Sequence, residues 1–205
     1  MRSLPAQLSV TLLAAALFVS QSRAQYQLHG EVEAGQVSTC YYCPTVTSYV
    51  IHGSETPITS TVVALDLWLG QHVVLTGDWG TIGGLPIFNV TAVQPSSSQF
   101  SINGNSSTGN TVHFTANAPT GDLVINTISL NAGVVPLSAE ATLLLDPSQL
   151  GILAGGFATN GQFETDLTIP AIPSLVGLHF FGQAAILPAN GGPLTTTEPD
   201  AKRIH

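Results

Sequence analysis

The sequence predicts an all-β protein built from two units, a small barrel followed by an antiparallel β-sandwich. Gly 20 and Pro 13 interrupt the 205 residues at short intervals, which favours many turns and disfavours long helices. Between these residues lie short apolar runs rich in β-branched side chains, a pattern typical of strands. Because 44% of the residues are hydrophobic and only 8% are charged, the chain has ample material for a core.

The first 24 residues are expected to be a secretory signal peptide. Arg2 gives a positive start, residues 10–19 are an apolar run, and Ser22 and Ala24 flank Arg23 as in an A-x-A-like cleavage site. The run is shorter than the roughly 20 residues that span a bilayer, so cleavage after Ala24 is favoured over an uncleaved anchor. We expect a mature chain without a transmembrane segment that is secreted, or that lies in the periplasm or cell envelope of a bacterium.

The charge of the mature chain excludes nucleic acid as its partner. Cleavage leaves two cations, Lys202 and Arg203, against 12 carboxylates, a formal net charge of −10. Nucleic-acid binding draws its affinity from cations that displace counterions, and attraction to anionic lipid needs cations as well. The sequence therefore predicts an acidic surface that keeps the protein soluble.

The first unit is predicted over residues 25–94 and the second over residues 100–198. Residues 95–99 are Pro- and Ser-rich and are expected to be a linker, and residues 199–205 form a C-terminal tail. In the first unit, residues 58–69 are either one long bent strand or a strand with a short helical turn near Leu65. The expected strands are residues 46–51, 58–69, 73–75, 87–93, 111–115, 123–130, 142–145, 163–169 and 175–187.

Three features of the second unit indicate its packing. Residues 163–169 alternate strictly, so Phe163 and Leu167 share one buried face. Asn160-Gly161 directly precedes this run, which predicts a hairpin turn. Residues 175–187 are continuously apolar, which predicts a central strand buried on both faces, and His179 within it is expected to be buried and hydrogen-bonded.

The first unit carries a recognisable pattern: Leu65 and Leu67, then GQHVVLTG over residues 70–77, then IFNVTAV over residues 87–93. This pattern resembles small secreted OB-fold-like domains, and the resemblance implies an OB-like small barrel. OB-folds commonly bind oligonucleotides or oligosaccharides on one face. Because the cations for nucleic acid are missing here, the resemblance implies the fold alone.

A second pattern lies in the C-terminal half, where Phe181 stands at a position that is often Tyr. The pattern resembles a β-rich C-terminal module of secreted and cell-surface proteins of planctomycete-type bacteria. That resemblance implies location and fold rather than a chemical activity. Its residues are Ala118 to Gly121, Gly161 to Phe163, IPAIPSLVGLHFFGQAAIL over residues 169–187, and Leu194 to Thr196.

Cys40 and Cys43 are the only cysteines, and we expect them to form a disulfide in an exported protein. Their spacing fits a β-turn, whose ends lie within about 7 Å and so within reach of a disulfide. A thioredoxin-like redox pair is an alternative, but it needs a helix N-terminus. A zinc site is another, but it needs two more ligands.

Four aromatic residues, Tyr41, Tyr42, Trp68 and Trp79, are candidate ligand-binding residues that could form a stacking surface for sugar. The alternative is that they are core residues of the first unit. A carbohydrate site would need them exposed on one side of the barrel.

The sequence predicts no catalytic residue, no metal site and no cofactor. It contains neither a G-x-S-x-G nor a P-loop motif. The pairs Glu31/Glu33 and Glu164/Asp166 each share one strand face, where they could bind Ca²⁺, act in acid–base chemistry or be simply solvated. His29, His52, His72, His113 and His179 are scattered singly and form no metal-binding pair.

The sequence therefore predicts a secreted or envelope-associated, non-enzymatic β module with a structural or interaction role. Its expected partner is a surface polysaccharide or another envelope protein. One alternative is a carbohydrate-binding module that uses the OB-like face. Another is a hydrolase whose site is not visible in the sequence.

Overall fold

The computed structural model describes residues 25–35 and 48–205, and these residues confirm the prediction of an all-β protein. The helical elements of this described part are three short 3-10 helices, Leu65–Trp68, Pro147–Gln149 and Pro173–Leu175. Within the same residues, no helix has the length and apolar character needed to cross a membrane. The strands are β1 (Tyr26–Ala34), β2 (Tyr49–Ile51), β3 (Thr56–Thr59), β4 (His72–Ile82), β5 (Leu85–Pro95), β6 (Phe100–Gly104), β7 (Thr111–Asn117), β8 (Leu123–Ser129), β9 (Ala132–Pro136), β10 (Thr142–Leu145), β11 (Gly151–Phe157), β12 (Gln162–Thr168), β13 (His179–Leu187), β14 (Thr195–Thr196) and β15 (Asp200–Arg203).

The first five strands form a closed ring in the order β1-β2-β3-β5-β4, and β4 pairs back onto β1. Strands β3 and β5 run parallel, whereas the other neighbours in the ring are antiparallel. Because side chains alternate along a strand, every second residue faces the inside of the ring. Leu28, Val32, Val73, Leu75 and Phe88 are fully buried there in one cluster.

The later strands form three further sheets. A five-stranded sheet has the order β11-β8-β13-β14, with β15 also paired to β13, and a three-stranded sheet has the order β12-β7-β6. Strands β9 and β10 form a two-stranded sheet. One buried cluster takes Ile102 and Phe114 from the three-stranded sheet and Val124, Phe180 and Ile186 from the five-stranded sheet. These two larger sheets therefore share a single core.

The β9–β10 pair connects the ring with the later sheets. Leu144 of β10 is fully buried and belongs to the core cluster of the ring. The Gln27 N–H donates to the Ala139 carbonyl oxygen at 2.6 Å, and the Thr142 hydroxyl donates to the Gln27 carbonyl oxygen at 3.1 Å. The edge of β1 that faces away from β4 is thus bonded at Gln27 to residues from the second half of the chain.

The structure shifts the bounds of two predicted strands. Strand β3 ends at Thr59 and is followed by the 3-10 helix Leu65–Trp68, so the short helical turn was the right alternative for residues 58–69. The run 175–187 forms a central strand only from His179 onward, because Gly177 has a φ of 92° and interrupts the extended chain. The prediction that His179 is buried was wrong, since it lies exposed at the first position of β13.

Asn160-Gly161 forms the predicted tight turn, with φ angles of 54° and 86°. The flanking residues Thr159 and Gln162 exchange two backbone hydrogen bonds of 2.8 and 3.1 Å. The strands that follow and precede this turn, β12 and β11, belong to different sheets. The turn therefore carries the chain from one sheet to the other instead of closing a two-stranded hairpin.

Two segments outside the predicted units have defined places. Residues 95–99 lie between β5 and β6, and the Ser96 N–H donates to the His72 carbonyl oxygen at 2.9 Å. Residues 199–205 contain β15, which pairs with β13. The division of the chain into two domains at these positions stays a prediction.

Candidate functional site

The β4–β5 hairpin places Trp79 at the edge of the ring. Strands β4 and β5 are joined by a two-residue turn, Gly83-Gly84, whose φ angles of 60° and 84° require glycine. Trp79 lies opposite Phe88 in the ladder, and Thr81 lies opposite Pro86, so these four side chains share one face. The Trp79 and Phe88 rings pack edge to face, with 4.8 Å between their centroids. Because Phe88 is fully buried, the Trp79 ring is held on a rigid support.

Trp79 forms one wall of an open groove of about 360 Å³ between this hairpin and β9. Its walls are mostly apolar. The indole Nε1–H of Trp79 is buried and has no hydrogen-bond partner, an arrangement that costs about 1–3 kcal/mol. The groove is lined by Trp79, Gly80, Thr81, Pro86, Val134 and Pro136.

The other aromatic candidates do not contribute to this groove in the part of the chain that is described. Trp68 lies in the 3-10 helix Leu65–Trp68, half-buried against the core of the ring. Tyr41 and Tyr42 lie outside the described residues, as do Cys40 and Cys43 with their expected disulfide. The ligand-binding roles of these residues and the disulfide stay predictions.

A group of histidines and carboxylates joins β1, β2 and β4 to the C-terminal segment, and we name it the joint. His52 Nδ1 lies 2.9 Å from Glu33 Oε1, and its Nε2 lies 3.7 Å from Asp200 Oδ1. His72 Nδ1 lies 2.7 Å from Glu198 Oε2. The titratable residues of the joint are these five together with His29 and Glu31, which share the outward face of β1 with Glu33.

The carboxylates of the C-terminal segment are also held by backbone N–H groups. Phe100 N–H donates to Glu198 Oε1 at 3.3 Å, and Ile102 N–H donates to Asp200 Oδ2 at 2.7 Å. Burial raises the pKa of Glu198, although His72 opposes the shift. Burial also acts on Asp200, but the neighbouring His52 imidazole and the hydrogen bonds from the Ile102 and Ala201 N–H groups hold its pKa below the ordinary value. These contacts fix the C-terminal segment against β6 and the ring.

His29 makes the nearest approach to a serine–histidine pair. Its Nδ1 lies 3.4 Å from the Ser96 hydroxyl oxygen, which also accepts the Ser98 N–H. His29 is only 7% exposed, and its Nε2 is buried without a partner. Burial lowers the pKa of His29 to about 4. The ring is therefore neutral near pH 7 and shielded from any substrate, which does not favour a nucleophilic site here.

The carboxylate pair Glu164/Asp166 lies on an exposed strand face, as the alternation of β12 predicts. Asp166 Oδ1 lies 2.7 Å from His113 Nδ1 on β7, and Gln162 donates to Glu164 at 2.9 Å. Across residues 25–35 and 48–205, no three His, Cys, Asp or Glu side chains are arranged to hold a metal ion. This pair is therefore best described as part of a solvated sheet face.

Sequence reasoning missed two parts of these sites. The groove wall formed by Val134 and Pro136 comes from β9, which carries no signal that connects it with Trp79. The joint brings together histidines that the sequence shows only singly.

Comparison with protein-family models finds no family that matches this chain, and comparison with curated proteins finds no match either. The function is therefore inferred from the geometry of the groove and the joint.

Proposed function

We propose that this chain is an exported, non-enzymatic interaction module in which an OB-like barrel is followed by a β-sandwich. The closed ring of five strands supports the barrel. The single core between the five-stranded and three-stranded sheets supports the sandwich. The export signal of residues 1–24 supports a place outside the cytoplasm.

The groove beside Trp79 is the observation that carries a binding role. Ligand sites are concave, mostly apolar and supplied with a few polar groups, and the groove has these properties through Trp79, Pro86, Pro136 and the Thr81 hydroxyl. By contrast, His52 and His72 of the joint are paired with carboxylates, and Glu198 and Asp200 are also held by backbone N–H groups. We therefore assign binding to the groove and a structural role to the joint.

A carbohydrate is the ligand class that the groove favours. The flat apolar face of a sugar ring can stack on the Trp79 indole, and the Thr81 hydroxyl lies in the same groove as a partner for a sugar hydroxyl. A neutral sugar also approaches a chain with 12 carboxylates without charge repulsion. An apolar side chain of a partner protein fits the same walls but makes no use of the Thr81 hydroxyl.

The chain contains two tryptophans, so the Trp68→Phe variant makes Trp79 the sole indole reporter. We expect neutral β-1,4-linked hexasaccharides to change the Trp79 emission in a saturable manner. Trp79→Ala should weaken binding at least about tenfold, measured by calorimetry, because truncating a tryptophan that dominates a binding surface costs about 2 kcal/mol or more.

Trp68→Phe is the matched control, since Trp68 does not line the groove, and it should bind like the wild type. Both variants should keep a cooperative thermal transition. Equal affinity of the wild type and Trp79→Ala for these hexasaccharides would exclude the groove as the binding site. A response to apolar peptides but not to sugars would assign the groove to a protein partner.

A further inference from the structure

The outer face of β1 is the surface on which the joint is built. Leu28 and Val32 face the inside of the ring, so His29, Glu31 and Glu33 face outward by alternation. An outward residue of an isolated ring would be solvated. His29 is nevertheless only 7% exposed, and its ring lies against Ser96 of the segment between β5 and β6.

His29 and His52 lie in opposite environments within the joint. The contact partner of His29 is the uncharged Ser96, and the nearest carboxylate on its own strand face is Glu31. His52 lies between two carboxylates, Glu33 on β1 and Asp200 on β15. The remaining pair is His72 on β4 with Glu198. One histidine is thus held where a positive charge is unfavourable, and the other where it is favourable.

We propose that the joint is a pH-sensitive attachment of β15 to the ring, which we call the clasp. Protonation of His29 weakens the clasp in acid, and deprotonation of His52 weakens it in alkali. The C-terminal strand β15 is then held most firmly near neutral pH. The proposal concerns the attachment of β15 to the ring and is independent of the groove.

The direction of each effect follows from proton linkage. The pKa of His29 falls from 6.5 to about 4 on folding, so its stabilising effect is complete above pH 6.5 and is lost as the pH falls toward 4. Asp200, whose pKa is lowered, adds to the loss at still lower pH. Glu198, whose pKa is raised by burial, takes up a proton more readily when folded and offsets part of the loss.

His52 acts in the opposite direction. The nearby Asp200 carboxylate, 3.7 Å away, is the largest cause, and together with the Glu33 hydrogen bond it raises the pKa of His52 to about 9 against the opposing effect of burial. The stabilising effect is complete below pH 6.5 and is lost as the pH rises through 9. Because the His52 side chain is 42% exposed, solvent screening reduces the effect. We therefore expect a maximum of stability near pH 6.5.

Urea unfolding of the mature chain between pH 4 and 9.5 tests the clasp. The wild type should lose on the order of a hundredfold in its folding equilibrium constant between pH 6.5 and 4, and roughly tenfold between pH 6.5 and 9.5. His52→Gln should lack the alkaline loss, and His29→Gln should lack most of the acid loss. His113→Gln removes a comparable pair, His113–Asp166 at 2.7 Å, on an exposed sheet face away from the joint. This control should keep both losses.

The rate of trypsin cleavage measures how firmly β15 is attached at alkaline pH. After Ala24, Lys202 and Arg203 are the only Lys or Arg residues, and both belong to β15. Cleavage, normalised to a peptide substrate, should rise several-fold from pH 7 to 9, and His52→Gln should be cleaved quickly already at pH 7. Equal rates for His52→Gln and His113→Gln would overturn the alkaline half of the clasp.

If His29→Gln does not fold, an NMR titration of His29 in the wild type tests the acid half of the clasp. The imidazole proton resonances of His29 in the wild type should titrate well below pH 6. A His29 that titrates near pH 6.5 in the folded protein would overturn the acid half. A stability that is flat from pH 4 to 9.5 would overturn the proposal as a whole.

Discussion

Replacing Gly77 with alanine should destabilise the protein by about 3 kcal/mol or more, because the β4–β5 ladder has no room for a Cβ at this position. A Cβ on Gly77 would overlap the carbonyl oxygen of Asn89 and lie 2.9 Å from its carbonyl carbon. It would also lie 3.1 Å from the Phe88 ring. These neighbours are backbone and a fully buried ring, which cannot move aside cheaply.

The consequence of the Gly77 change should spread through the ring. The ladder register already shifts between Thr76 and Gly77, which is consistent with a close approach of the two backbones. Moving β4 away from β5 would separate Trp79 from Phe88 and open the groove. We therefore expect Gly77→Ala to lose both stability and the Trp79 fluorescence signal of the folded protein.

Gly155→Ala is the matched control on another strand. A Cβ on Gly155 would lie 3.6 Å from its nearest neighbours, an ordinary contact. This variant should differ from the wild type by no more than about 0.5 kcal/mol in urea unfolding. Comparable stabilities for Gly77→Ala and Gly155→Ala would contradict the tight approach at Gly77.

The individual strands with a clear local sequence pattern could be predicted from the sequence. Strict alternation identifies β12, where Phe163 and Leu167 pack against a core and Glu164 and Asp166 are exposed. The apolar run at residues 142–145 coincides with β10, all of whose residues are buried. These elements are defined by side-chain period and by flanking breakers, both of which are local properties.

The pairing of the strands could not be predicted from such local patterns. Nothing local states that β3 pairs in parallel with β5, or that Leu144 of β10 fills the core of the ring. Strand propensity describes how well a residue fits a half-buried sheet and does not choose its neighbour. The groove depends on such a choice, because Trp79 and Pro136 meet only after β9 packs near the hairpin.

The histidines show the same limit. His72 and Glu198 are separated by 126 positions and still approach to 2.7 Å. As single residues they carry no metal or catalytic pattern, so the sequence predicted no role for them. Their role appears only when ring closure and the return of the C-terminal segment bring β4 next to Glu198.

Replacing Gln183 with leucine should destabilise the protein by about 3 kcal/mol or more, because this side chain connects three segments inside the molecule. Gln183 of β13 is only 1% exposed. Its amide nitrogen donates to the carbonyl oxygens of Thr142 at 3.1 Å and Thr197 at 2.8 Å. Its oxygen accepts the Leu144 N–H at 2.8 Å. Leucine would leave the Thr197 carbonyl and the Leu144 N–H buried without this partner, at about 1–3 kcal/mol each, while the Thr142 carbonyl would keep the Thr196 hydroxyl as a donor at 2.9 Å.

The Gln183 change also tests how the ring is tied to the later sheets. Leu144 belongs to the core of the ring, and its N–H is held by a side chain of β13, so loosening β10 should weaken both parts together. Hydrogen exchange should show the Leu144 amide exchanging much faster in Gln183→Leu. Gln94→Leu, an exposed change on β5, should leave stability and this amide unchanged. If Gln183→Leu unfolds at the wild-type urea concentration with a protected Leu144 amide, then apolar contacts alone hold β10 in place.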